Sequence, residues 1–86
     1  MKIHFIAIGG SIMHSLAIEL KKNGHFVTGS DDVIYEPSKS NLIKHKILPK
    51  KYGWYTENIH SNLDLVILGM HAKKNNPELL EAQQLN

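Results

Sequence analysis

A chain of 86 residues, 42% hydrophobic and 21% charged, has room for one small globular domain that buries about 60–65% of its unfolded surface. Its net charge of +2 is too small for a nucleic-acid surface, and the densest lysine run, "LPKKYGW", reads as a solvated loop. The absence of cysteine excludes a disulfide scaffold, a thiolate metal site and a cysteine nucleophile; no apolar run approaches the roughly 20 residues of a membrane span, and the N-terminus lacks a signal-peptide core, so a soluble cytoplasmic protein is expected.

Residues 3–8, "IHFIAI", are nearly continuous in apolarity, which predicts a strand covered on both faces as in a parallel sheet. Gly9-Gly10-Ser11 breaks that run. Met13, Leu16, Ala17 and Leu20 then recur at helical spacing, Lys21 and Lys22 complement the dipole of the last turn, and Asn23-Gly24 supplies the stop. Residues 25–30, "HFVTGS", read as a second strand, completing a βαβ-sized unit. Pro37 and Ser38 open a weak helix over 38–46, with Leu42, Ile43 and Ile47 on its apolar side. "YGWY" reads as a short strand and residues 63–69, "LDLVILG", as a further buried one. Asn76 as N-cap, Pro77 at the first helical position and Glu78 just after start a helix that is still running at "EAQQLN". The pattern therefore reads as the front part of something longer, or as a trimmed piece. Alternating strands and helices imply an α/β fold with a mostly parallel sheet and right-handed crossovers. Ligands of such sheets bind beyond the carboxyl ends of the strands, which nominates residues 9–13, 30–37 and 69–76.

The first of these loops has the chemistry of a phosphate seat. Gly9 and Gly10 leave no side chain between backbone and ligand, the following helix points free N–H groups at the same spot, and Ser11 adds a hydroxyl. The dinucleotide fingerprint G-x-G-x-x-G is nevertheless broken, since Ala7 and Ile12 stand at its first and third glycines. Ala7 still belongs to the expected strand, whereas Ile12 should prevent the close helix–strand approach of dinucleotide folds. A phosphate-bearing ligand and a plain structural turn both remain open by motif alone. In the second loop Asp31 and Asp32 follow the second strand at the distance where an acidic residue accepts hydrogen bonds from a ribose or ring donor; an Asx turn is the alternative. In the third, His71 could donate to a phosphate or sugar, and Asn76 reads as a cap. The other histidines, His4, His14, His25, His45 and His60, have no metal-ligand spacing. No Ser-His-Asp signature and no Walker-type ATP loop is present. Trp54, Tyr52 and Tyr55 could stack a base but read as packing residues.

Taken together, "HFIAIGGSIMHSLAIELKKNGHFVTGSDD" and "HAKKNNPE" resemble the N-terminal domain of the Mur ligases, in particular the muramate-recognising branch. The resemblance covers essentially the whole chain. It implies a Rossmann-like three-layer α/β domain, truncated at its C-terminal end, that holds the UDP part of UDP-N-acetylmuramate. Central and C-terminal domains, absent here, would bind ATP with magnesium and bring the amine. The full enzyme would form an amide through an acyl phosphate, and this chain alone would not be catalytic. By position Gly9, Gly10, Ser11, Ile12 and Met13 would line the diphosphate, Ser30, Asp31 and Asp32 would face the uridine, and His71 and Ala72 would lie near the diphosphate or sugar. Ile12 replaces a glycine of the L-alanine-adding type and tilts the likeness towards the peptide-adding, recycling type, whose acceptor is L-Ala-γ-D-Glu-meso-diaminopimelate. The rival readings are a stand-alone NAD or nucleotide module on the same βαβ unit, and a fragment with no ligand.

Overall fold

The computed structural model describes residues 1–85; Asn86, the last residue of the expected final helix, lies outside them. Three strands and three helices follow in order: β1 (Lys2–Ile6), α1 (Ser11–Lys22), β2 (Phe26–Ser30), α2 (Ser38–Lys44), β3 (Leu65–Leu68) and α3 (Pro77–Leu85), with a 3₁₀ turn at Thr56–Asn58. The sheet is parallel throughout, in the order β2-β1-β3, with Ile3 opposite both Val27 and Leu65. β1 is central, so both of its faces are covered, and Ile3, His4, Phe5 and Ile6 are all buried.

Period-two alternation sorts these side chains. Ile3 and Phe5 join Ala17 of α1, Val27 of β2, Leu42 of α2, and Ile8, Ile34 and Ile47 in the hydrophobic core. His4 points to the opposite face, where it meets Glu78 of α3. Of the expected stripe of α1, Ala17 is buried and Met13 and Leu20 pack against the core, joined by Ile18 and the buried His14, while Leu16 is 39% exposed. On α2, Leu42 is buried as expected, but Ile43 faces solvent.

Helix ends follow the local chemistry. Gly24, at φ +93°, donates its N–H to the Lys21 carbonyl and closes α1. Asn76 caps α3: its Oδ1 accepts from the N–H groups of Glu78 (2.9 Å) and Leu79 (3.3 Å).

Three expectations are corrected. β1 stops at Ile6, and Ala7 is not a strand residue: it turns out of the sheet at φ +67°. The "YGWY" strand is a single antiparallel bridge, Asp31 to Gly53, with Gly53 N–H donating to the Asp31 carbonyl at 2.8 Å. Gly53 sits at φ +123°, away from the extended backbone that a continued ladder needs. β3 is shorter than residues 63–69 and lies at the sheet edge, leaving Leu65 and Leu68 nearly half exposed despite their apolarity.

Candidate functional site

The turn between β1 and α1 is held from below by the carboxyl end of β2. The Ser30 carbonyl accepts the N–H groups of both Ala7 (2.9 Å) and Ile8 (3.0 Å). The Asp31 carboxylate accepts the Gly9 N–H at 2.8 Å through one oxygen and the Asp32 N–H at 2.9 Å through the other. Gly9 is needed for this approach, because a Cβ there would lie 2.8 Å from the Asp31 carboxylate and 3.1 Å from Ile34. Burial pushes the Asp31 carboxyl above its ordinary range; the adjacent Asp32 pushes the same way, while the backbone donors oppose it.

Above this brace the turn is open. Gly10 is the N-cap of α1 at φ −63° and ψ 153°, and no side chain among the described residues caps the helix. The first turn of α1 carries no acidic residue either, in contrast to α3 with Asn76 and Glu78. Its free N–H groups and partial positive charge face a cleft of about 250 Å³ lined by Ala7, Gly10, Ser11, Ile12, Met13, Met70 and His71. A Cβ on Gly10 would meet nothing within 4 Å, so this glycine is not demanded by the fold. Ile12 is 66% exposed and forms part of the cleft wall. It does not come between helix and strand, which corrects the expected obstruction.

His71 also borders a second cleft of about 380 Å³, with Asp32, Trp54, Lys73, Asn75, Asn76 and Pro77. Gly10, Ser11, Ile12, Met13, Asp32 and His71 thus gather around two clefts that share a histidine. The remaining candidates sit elsewhere. Gly9 and Asp31 brace each other beneath the turn. Ala72 is half-buried and donates its N–H to the Gly69 carbonyl. Ser30, 2% exposed, turns its hydroxyl inward to Glu78 at 2.5 Å. Trp54, read from the sequence as a packing residue, is half-buried and walls the second cleft.

Two buried histidines support this arrangement. The ring of His14 lies within hydrogen-bond distance of the Gly10 carbonyl (Nδ1, 3.1 Å), the Ser38 hydroxyl (Nδ1, 3.0 Å) and Asn41 Nδ2 (Nε2, 3.4 Å), tying the start of α1 to α2. On the other face, His4 Nε2 donates to Glu78 Oε1 at 2.8 Å, and its Nδ1 lies 2.8 Å from Thr28 Oγ1. Glu78 is fully buried. Its second oxygen accepts from the Tyr55 N–H (2.9 Å) and Asn58 Nδ2 (3.1 Å). Burial raises the affinity of this carboxyl for protons, but hydrogen bonds from His4, Ser30, Tyr55 and Asn58 outweigh it and hold the carboxyl below its ordinary range. Neither histidine carried a sequence signal, because each partner set comes from a separate element.

A parallel α/β sheet with an uncapped helix N-terminus and paired clefts at its carboxyl end has its openings where α/β sheets in general place ligands. The family model "Mur ligase family, catalytic domain" matches residues 2–86, and the chain belongs to the Mur ligase family. Among its relatives, a UDP-N-acetylmuramate–L-alanine ligase of Clostridium kluyveri is 39% identical over 99% of this chain. The UDP-N-acetylmuramate–L-alanyl-γ-D-glutamyl-meso-2,6-diaminoheptandioate ligase of Escherichia coli is 35% identical over 90% of it. The crystal structure of a murein peptide ligase from Psychrobacter arcticus superposes with a TM-score of 0.85 at 30% identity over 99% of the chain. That of a UDP-N-acetylmuramate–alanine ligase from Thermotoga maritima gives 0.78 at 33% identity, also over 99%. The chain spans 17–19% of the length of these four relatives.

Proposed function

We propose that the chain is the N-terminal UDP-N-acetylmuramate-binding part of an ATP-dependent amide-forming ligase of peptidoglycan synthesis or recycling. The observation that carries this reading is the uncapped start of α1, which opens onto the cleft bounded by Ile12 and His71. A diphosphate placed there accepts hydrogen bonds from the first-turn N–H groups and the Ser11 hydroxyl, with His71 at its rim. The neighbouring cleft offers the flat face of Trp54 for a pyrimidine ring, and the exposed Asp32 carboxylate accepts from a ribose hydroxyl or ring N–H. Ser30 and Asp31 serve the same ligand indirectly, by fixing the turn.

Among the described residues no three His, Cys, Asp or Glu side chains cluster to hold a cation; magnesium and ATP enter this reading only through the resemblance. The resemblance assigns both to a further domain of the longer enzyme, so this chain binds and orients the nucleotide-sugar and takes no part in the acyl-phosphate chemistry. The acceptor, L-alanine or the L-Ala-γ-D-Glu-meso-diaminopimelate peptide, is likewise chosen outside these residues. Localisation in the cytoplasm belongs to the same proposal; among the described residues no helix is long and apolar enough to cross a membrane.

Titration of the chain with UDP-N-acetylmuramate, UDP and NAD tests the reading. Both uridine ligands are expected to bind, and NAD to bind more weakly than UDP. Preference for NAD would instead identify a dinucleotide module.

A further inference from the structure

We propose that Glu78 is a positioning residue for the turn at residues 7–10, acting through Ser30. The inference rests on reading that turn as the diphosphate seat. Ser30 is gripped on two sides: its hydroxyl donates to Glu78 Oε1, and its carbonyl receives the successive N–H groups of Ala7 and Ile8. Two adjacent amides converging on one carbonyl fit the reversal at Ala7, whose φ of +67° an alanine adopts only under constraint. A small shift of Ser30 therefore moves the turn as a unit.

Glu78 is itself immobilised from every element packed on it. β1 contributes His4, among the described residues the one titratable side chain bonded to Glu78; β2 contributes Ser30; the 53–58 segment contributes the Tyr55 N–H and Asn58. Within α3 the Asn76 cap holds the Glu78 N–H. A buried carboxylate, even one held by hydrogen bonds, is a poor source of stability compared with an apolar side chain of the same volume, so its value lies in fixing geometry. Here the geometry it fixes runs from the start of α3 to the ligand turn on the far strand.

Native-state hydrogen exchange, which needs no ligand, separates positioning from bulk stability. In Glu78→Gln the Ala7 and Ile8 amides are expected to open about tenfold more than the β1 amides, the scale of losing one hydrogen bond to a charged acceptor. Ser30→Ala removes only the hydroxyl link and should give the same local pattern, which keeps the test available if Glu78→Gln does not fold. Leu42→Ala, a core control that shares no hydrogen bond with Glu78 or Ser30, should raise all amides alike. A uniform rise in Glu78→Gln, or in Ser30→Ala if the former is unfolded, would reduce Glu78 to a structural residue and overturn the proposal. Titration with UDP supplies the second arm: affinity should fall about tenfold in the relay variant and stay unchanged in folded Leu42→Ala. Unchanged affinity in the relay variant would also overturn the proposal. If the unmodified chain binds no UDP, the ligand reading fails by itself and the exchange pattern alone decides whether Glu78 positions the turn.

Discussion

Adjacent residues in this turn have opposite duties, and substitution separates them. Gly9 is bare because Asp31 and Ile34 crowd it; Gly10 is bare with open space around it. Gly9→Ala must push the Asp31 carboxylate away and should cost about 1–3 kcal/mol in chemical unfolding, the usual range for overpacking. Gly10→Val should fold with stability within about 0.5 kcal/mol of the parent, since its backbone angles suit any residue, yet lose nucleotide binding by covering the helix N–H groups. Binding undiminished in Gly10→Val would remove the turn from the site. The same division splits Asp31 from Asp32. Both were visible in the sequence as carboxylates at the right distance from the glycines, but which one turns inward depends on where β2 ends, and no local pattern records that. Asp31 became the brace and Asp32 stayed at the cleft.

At the scale of elements, signals confined to one stretch of chain were legible. The glycine stop of α1, the Asn76-Pro77 start of α3 and the apolar run of β1 all depend on neighbours within a few residues. Asn76→Ala should therefore cost about 1 kcal/mol in thermal or chemical unfolding, the ordinary worth of an N-cap. No change in stability would mean that α3 starts independently of its cap. Signals requiring distant partners were not legible. The His4–Glu78 contact spans 74 positions, and a histidine within an apolar strand gives no hint that a glutamate from the last helix will meet it. The apolarity of residues 63–69 likewise suggested a covered strand, while the observed sheet places β3 at an edge. Composition alone does not reveal strand order.

Across the whole molecule, folding leaves the Glu78 carboxyl with a lower affinity for protons than it has in the unfolded chain. The stability it contributes is thus fully present above the ordinary glutamate value and drains as pH falls through the lower folded value. Asp31, pushed the other way by burial, contributes in the opposite sense: its share is present at low pH and lost as pH rises through its raised value. Unfolding monitored from about pH 5 to pH 3 should show an acid limb that is smaller in Glu78→Gln; equal limbs would mean that Glu78 is not held ionised by its donors. The central claim is that the start of α1 seats the diphosphate of a UDP-sugar. Amide chemical-shift mapping during titration with UDP-N-acetylmuramate tests it most directly. The largest changes are expected at Gly10, Ser11, Ile12 and Met13, with His71 and Trp54 following. Changes centred on a separate cleft, such as the one lined by Val27–Ser30 and Lys46–Lys51, or no saturable change anywhere, would contradict it.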